Sequence, residues 1–356
     1  MEDRAITASE SIETAEHRGA EHRAGSPAEG RRSLAGRATA LLGSNAVRVG
    51  FVLVAVGLGF FAVAGQWSQV RAAFADLGPG SIAGALAMVL LALFVSMLVW
   101  RSLMAAAGSP VPLAAAARIF FVGQIGKYVP GAVWPVLAQM ELGRARLIPR
   151  QRSATVAVVK ILVDLSAGLL VSAVALVAGL TSSGTAGYRW AFLGIPVVLV
   201  CLHPRVLNPV IDRLLRLVRR PAQEPPLTGR AIVVAMLWAL LSWVLFGLSV
   251  WLLAVRLGAP QGRAFLLSAG GFAFAWCIGF LVVFAPAGAG VREVVLVAAL
   301  SPVLGVGKAT AVALLSRLLT TVADLLSVGF VALFGRVRPG RGPAPAPPPQ
   351  DPGRAG

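Results

Sequence analysis

Long apolar stretches alternate with short polar segments along most of the chain. Residues 81–100, SIAGALAMVLLALFVSMLVW, carry no charge over about the 20 residues that a helix needs to cross a bilayer core of roughly 30 Å. Several similar stretches follow. The pattern predicts an all-α polytopic membrane protein. About six full spans are expected, over residues 46–65, 81–100, 154–180, 189–203, 231–255 and 309–334.

Two further apolar regions, 111–142 and 264–299, contain helix breakers near their centres. Pro130 and Gly131 follow GQIGKYV in the first region, and Pro286 opens APAGAGVRE in the second. A broken helix is tolerated at membrane depth only where its backbone faces protein or water. Each region is therefore predicted to be a broken or re-entrant helix pair, giving eight or so membrane helices. Two full crossings per region, or simple proline kinks, are the alternatives.

Basic residues collect in the segments between the apolar stretches, and the net charge is +17. Because cytoplasmic loops of membrane proteins are enriched in Lys and Arg, the basic segments before the first, third and fifth spans are placed in the cytoplasm. Both termini are then cytoplasmic, in a bacterial-type plasma membrane.

The composition changes at both ends of this apolar part. Residues 1–45 lack apolar periodicity, and residues 337–356 are rich in Pro and Gly. Both tails are predicted to be disordered. The membrane domain between them, 46–336, is predicted to have two halves joined by a basic cytoplasmic loop. The halves cover about 46–203 and 231–336, and the loop covers 204–230.

The two interrupted regions open to opposite faces in this topology, which is typical of an inverted repeat. Few residues are identical when the halves are aligned at their prolines, so the prediction depends on that register and on the matching distance to the next long helix. The aligned pairs include Gly123 with Gly279, Pro130 with Pro286 and Arg152 with Lys308.

Composition narrows the class of protein further. The chain is 57% hydrophobic and only 13% charged, whereas a globular domain carries about 25% charged residues. The arginines have no zinc spacing or stacking-aromatic motif beside them, which argues against nucleic-acid binding. The two cysteines and three histidines form no metal-ligand pattern, and there is no G-x-x-x-x-G-K-[ST] loop for ATP. We expect no metal and no cofactor.

Acidic residues are rare in the apolar part of the chain. Four lie in or beside its segments, and each has a basic neighbour in sequence. A charge near the bilayer centre costs at least about 2.5–3.5 kcal/mol, so such residues face protein or water and often mark a transport path. Structural ion pairs, or interfacial snorkelling of Lys127 and Glu141, are the alternatives. The neighbours are Arg144 with Glu141, Lys160 with Asp164, Arg292 with Glu293 and Arg317 with Asp324.

The motifs together resemble a known family. GKYVPGAVW followed by VVKILVDLSAGLL, and FAPAGAGVREVVLVAAL followed by LLSRLLTTVADLLSVGF, are similar to the flippase-like transmembrane region of the lysylphosphatidylglycerol synthases, the multiple peptide resistance factors, and their stand-alone homologues. The likeness covers about 46–336. The chain is expected to be a stand-alone member without the synthase domain, and not an enzyme.

The resemblance implies that a lipid is moved from the inner to the outer leaflet. Lys160 departs from the family, since relatives often have an acidic residue there, so the head group stays open. Lys127 is added to the predicted translocation residues because its charge flanks the helix break at Pro130 and Gly131. The positions that match the family motifs are Tyr128, Pro130, Gly131, Lys160, Asp164, Pro286, Gly288, Gly290, Arg292, Glu293, Arg317 and Asp324.

The leading hypothesis is translocation of a phospholipid, an aminoacylated phospholipid or a polyprenyl-phosphate-linked lipid through a polar cavity. Half-helix N-termini beside Lys127 and Arg292 would suit its anionic head group. One alternative is a membrane glycosyl- or aminoacyl-transferase, with Asp164 or Glu293 as base. The other is an anchor subunit for a separate lipid-modifying synthase or glycosyltransferase. The oligomeric state is not predicted.

Overall fold

The computed structural model describes residues 67–128, 133–180, 209, 213, 227–281, 288 and 290–334. Within these residues the regular structure is helical and contains no strand, which confirms the predicted all-α class. The predicted spans 46–65 and 189–203 lie outside the described residues. So do both predicted tails and most of the loop 204–230.

Eight α-helices and one short 3₁₀ turn are defined in the described part of the chain. The 3₁₀ turn covers Ile125–Tyr128 and follows the second helix directly. In chain order the helices are α1 (Trp67–Ala106), α2 (Leu113–Gln124), α3 (Trp134–Arg144), α4 (Arg150–Leu180), α5 (Gly229–Arg256), α6 (Gln261–Leu281), α7 (Val291–Leu304) and α8 (Val306–Phe334).

Five of these helices contain stretches that are long and apolar enough to cross a membrane. All four predicted full spans that fall on described residues are among them. The fifth is α6, which belongs to the second interrupted region. The stretches are Asp76–Ala106 in α1, Arg150–Leu176 in α4, Gly229–Arg256 in α5, Gln261–Leu281 in α6 and Val306–Leu333 in α8.

The interrupted regions differ in the length of their helices. In the first region, α2 has 12 residues and α3 has 11, so each is about 17–18 Å long at a rise of 1.5 Å per residue. Neither can cross a core of roughly 30 Å alone, as expected of a re-entrant pair. In the second region, α6 has 21 residues and α7 has 14. The second region therefore combines one helix of spanning length with one short helix.

The C-terminal ends of α1 and α5 have the same local structure. Gly108 and Gly258 follow these helices with positive φ angles of 80° and 99°, which glycine adopts without a steric penalty. The next long helix of each half is tied to this turn by a basic side chain. Arg152 of α4 donates to the carbonyl of Gly108 at 3.1 Å, and Lys308 of α8 donates to the carbonyl of Leu257 at 2.9 Å.

A second pair of matching contacts closes the same two turns. Arg101 Nε donates to the carbonyl of Val111 at 2.9 Å, and Trp251 Nε1 donates to the carbonyl of Gln261 at 2.8 Å. The order long helix, interrupted pair, long helix thus occurs twice, in α1–α4 and in α5–α8. These contacts support the predicted repeat. The opposite membrane orientation of the two halves stays a prediction.

Small residues bring α6 close to its neighbours. A Cβ atom added at Gly247 of α5 would lie 2.6 Å from Ala269 of α6, and one at Gly270 of α6 would collide with Ala175 of α4. Such close approach increases van der Waals contact, which is what joins helices in lipid, where the hydrophobic effect between them is absent. Helix α6 therefore lies against both α4 and α5.

Candidate functional site

A polar cavity of about 80 Å³ lies among α1, α5, α6, α7, α8 and the 3₁₀ turn. Since a water molecule occupies about 30 Å³ in the liquid, this space holds two or three waters. Apolar and aromatic side chains form the wall on the α1, α5 and α6 sides. The ionisable residues on the wall are Lys127 and Tyr128 of the 3₁₀ turn, Arg292 and Glu293 of α7, and Arg317 and Asp324 of α8.

Two ion pairs connect the elements around this cavity. Lys127 Nζ lies 2.6 Å from Asp324 Oδ2, and the Tyr128 hydroxyl donates to the same oxygen at 2.6 Å. Arg317 Nη1 lies 2.9 Å from Glu293 Oε1. The 3₁₀ turn and α7 are thereby both joined to α8.

The partners of the two acids differ from those that the sequence spacing indicated. Arg317 precedes Asp324 by two helical turns, but Asp324 pairs with Lys127. Arg292 is adjacent to Glu293, but Glu293 pairs with Arg317. Spacing identifies neighbours on one helix face, whereas these pairs depend on packing between distant segments, which spacing does not reveal.

Arg292 is the cation of the cavity wall that has no carboxylate within ion-pair distance among the described residues. Its Nε is buried and makes no hydrogen bond, and Glu293 Oε2 is likewise buried without a partner. The guanidinium lies over the ring of Trp276, with Cζ 5.4 Å from the ring centroid, at cation–π distance. The lining of the cavity therefore has one uncompensated positive charge.

The segment before α7 is shaped by two glycines of the second motif. Gly288 and Gly290 have φ angles of 69° and 83°, a region that favours glycine. Gly290 is the N-cap of α7, so Arg292 and Glu293 lie in the first turn of the helix. Gly288 contacts Arg292 directly, because a Cβ atom added there would lie 2.7 Å from Arg292 Nε.

Lys160 and Asp164 form a separate charged cluster that does not line the cavity. They lie on one face of α4, as their spacing predicts, with Lys160 Nζ 2.5 Å from Asp164 Oδ2. Lys160 also donates to Ser96 Oγ of α1 at 3.1 Å. The two charged side chains are only 7% and 15% exposed, so the pair is enclosed by protein.

Aromatic side chains connect this buried pair to the wall of the cavity. Trp243 Nε1 donates to the backbone carbonyl of Asp164 at 3.0 Å. Its ring packs edge to face on Trp276, with centroids 5.2 Å apart, and lies 6.0 Å from the ring of Phe246. Trp276 and Phe246 both line the cavity. The predicted charged residues thus form two clusters joined through Trp243.

Glu141 lies in an exposed cluster on α3, away from both charged clusters. It pairs with Arg144 at 3.1 Å and with Arg150 of α4 at 2.9 Å. The hydrogen bond from Arg150 is the largest influence that lowers the pKa of the Glu141 carboxyl. This cluster joins α3 to the start of α4.

Several predicted site residues lie outside the described residues, and several important neighbours were missed. Pro130, Gly131 and Pro286 belong to the first group. Ser96 and Trp276 belong to the second, because a serine or tryptophan in an apolar stretch resembles ordinary packing. Among the described residues, no group of three or more His, Cys, Asp or Glu side chains could hold a metal ion.

Helices of spanning length that surround a charged cavity define a polytopic membrane protein. Residues 47–327 match the model of the family described as the lysylphosphatidylglycerol synthase TM region. The chain belongs to this family, as its motifs predicted. No curated protein matches the chain.

Proposed function

We propose that this protein moves a lipid between the leaflets of a bilayer, with the head group passing through the polar cavity and the acyl or prenyl tails staying in the membrane. The observation that carries the proposal is a cavity lined by Lys127, Arg292, Arg317, Glu293 and Asp324 among helices of spanning length. Charged side chains are rare inside membranes, and those present often mark transport pathways.

The charges of the cavity lower the barrier that a head group meets in the hydrocarbon core. A lone ion loses several kcal/mol of solvation there even after the surroundings relax. In the cavity, Lys127 and Arg317 are held by carboxylates, and a lipid phosphate would compete with those carboxylates for the cations. Arg292 has no such competitor among the described residues.

Transport requires the cavity to open. Space for two or three waters is too small for a lipid head group. Breaking the Lys127–Asp324 and Tyr128–Asp324 contacts would separate the 3₁₀ turn from α8. The sequence contains no ATP-binding loop of the Walker type, so the proposed energy sources are the lipid gradient, an ion gradient and the membrane potential.

The proposal assigns lipids as the partners and no catalytic step to the chain. It keeps both termini in the cytoplasm of a bacterial-type plasma membrane, as the charge pattern predicts. The test is reconstitution of the purified protein into liposomes with fluorescent phospholipids and a quencher confined to the outside. We expect the protein to make inner-leaflet label accessible faster than in protein-free liposomes. If, for every lipid tested, the rate with protein equals the rate in protein-free liposomes, the proposal is contradicted.

A further inference from the structure

Each half of the protein has a glycine near the end of one helix that receives a side chain from the following short helix. In the first half, a Cβ atom added at Gly123 of α2 would lie 2.6 Å from Gln139 Cγ of α3. In the second, a Cβ atom added at Gly279 of α6 would lie 2.5 Å from Arg292 Cγ of α7. Gly123 and Gly279 are the glycines that the proline register aligns.

The two glycine contacts differ in the charge of the side chain that they receive. Gln139 is neutral and only 5% exposed. Arg292 is charged, lies on the wall of the cavity, and is enclosed by Gly279, Gly288 and the ring of Trp276. Any larger residue at Gly279 or Gly288 would displace the Arg292 side chain. The glycines therefore fix the position of a guanidinium in the second half, where the first half has an amide.

The chemistry of Arg292 fits a phosphate group. A guanidinium presents N–H donors in a planar fork that matches two phosphate oxygens, and charge-assisted bonds of this kind are about twice as strong as neutral ones. The buried Nε is one such donor without a partner. Arg292 is also in the first turn of α7, where the helix dipole favours an anion. All three properties favour one negative charge at this side of the cavity.

We propose that Arg292 makes the cavity selective for lipids with a phosphate in the head group, and that Gly279 and Gly288 are positioning residues for its guanidinium. This inference rests on the proposed function and narrows its substrate class. The first half places the neutral Gln139 at the matching glycine, and its cation on the cavity wall, Lys127, is paired with Asp324. A lipid with a polar but uncharged head group could accept a hydrogen bond from Arg292 but would gain no charge–charge attraction, so its transport should depend far less on this residue.

The test compares three fluorescent lipids in liposomes: phosphatidylglycerol, phosphatidylcholine and glucosylceramide, which has no phosphate. The variant is Arg292→Gln, which places the side chain of the first half at the second glycine. We expect it to slow both phospholipids at least about tenfold, the loss of one charge-assisted bond, and to leave glucosylceramide unchanged. Arg292→Lys keeps the charge but not the planar fork, so its phospholipid rates should fall between those of the wild type and Arg292→Gln. Arg263→Gln, an exposed arginine of α6, should stay within about twofold of wild type.

Gly279→Ala and Gly288→Ala test the positioning role. We expect both to reduce the preference for phospholipid over glucosylceramide, which a general loss of folding would not do. Equal slowing of all three lipids by Arg292→Gln would overturn the inference while leaving lipid transport in place. A wild-type protein that moves none of the lipids would contradict the proposed function itself.

A binding measurement separates a lipid phosphate from free phosphate. Short-chain phosphatidylglycerol should raise the melting temperature of the detergent-purified wild type, and Arg292→Gln should remove this shift. Inorganic phosphate at the same concentration should have little effect. A shift with inorganic phosphate that the lipid does not exceed would show a site for free phosphate and overturn the inference.

Discussion

Lys127 and Asp324 form an ion pair across 2.6 Å between the first interrupted region and the last helix. Asp324 is only 5% exposed, and the Tyr128 hydroxyl donates to the same carboxylate oxygen. This contact joins the two halves at the wall of the cavity. In the proposed transport, this contact separates or rearranges when a head group enters the cavity.

We expect Lys127 and Asp324 to be energetically coupled. In a double-mutant cycle with Lys127→Met and Asp324→Asn, the free energies of unfolding should deviate from additivity by about 0.5–3 kcal/mol, as for other contacting pairs. Unfolding by SDS titration in mixed micelles measures them. The exposed Arg144–Glu141 pair is the control, with a coupling of about 0–1 kcal/mol. Additive effects at Lys127 and Asp324 would show that the contact is absent in the membrane protein.

The Lys160–Asp164 pair is expected to stabilise the fold and to take no part in transport. Asp164→Asn leaves a buried lysine without its partner and should destabilise the protein by about 3–5 kcal/mol. The double variant Lys160→Met, Asp164→Leu removes both charges and should recover most of that loss. Unfolding and liposome transport are both measured. A folded double variant that transports no lipid would place this pair on the lipid path.

The packing of α4 against α6 can be tested by a cross-link. A Cβ atom at Gly168 would lie 2.9 Å from Cys277 Sγ, close to the roughly 3 Å that a disulfide with an S–S bond of about 2.05 Å requires. In a chain with Cys201 replaced by Ser, Gly168→Cys should lose both free thiols on mild oxidation. Labelling with a maleimide reports this. Gly168→Cys with Cys277→Ser is the control and should keep its thiol. If both thiols stay free, the two helices do not pack as described.

Much of the fold could be predicted from sequence because it depends on local properties. Uninterrupted apolar length identified the spans in α1, α4, α5 and α8. The proline register predicted a repeat, and the similar turns at Gly108 and Gly258 are consistent with it. The role of α6 was less clear. Its 21 residues have the length of a span, but the break that follows made the whole region resemble a re-entrant pair.

The site was harder to predict, because its members come from distant segments. The rarity of charged residues in the apolar segments selected Arg292, Glu293 and Asp324, and the structure places all three on the cavity wall. It also grouped Lys160 with them, although Lys160 contacts Ser96 away from the cavity. No sequence spacing reveals which helices meet. The packing of the Arg292 side chain against Gly279 could have been suspected only from the alignment of the two halves.

The central claim is that lipid head groups pass through the cavity, and a steric block tests it without changing any charge. Thr320 and Thr310 both lie on α8, are half-buried, and donate to the carbonyl four residues earlier. Thr320 lines the cavity and Thr310 does not. The measurement is the rate of phospholipid translocation in liposomes that contain Thr320→Trp or Thr310→Trp.

We expect Thr320→Trp to fold, to keep a melting temperature similar to that of Thr310→Trp, and to slow translocation at least about tenfold, because an indole ring fills a space of two or three waters. Thr310→Trp should retain a rate near that of the wild type. Wild-type rates in both folded variants would contradict the account, since lipids would then cross by a route that does not include the cavity.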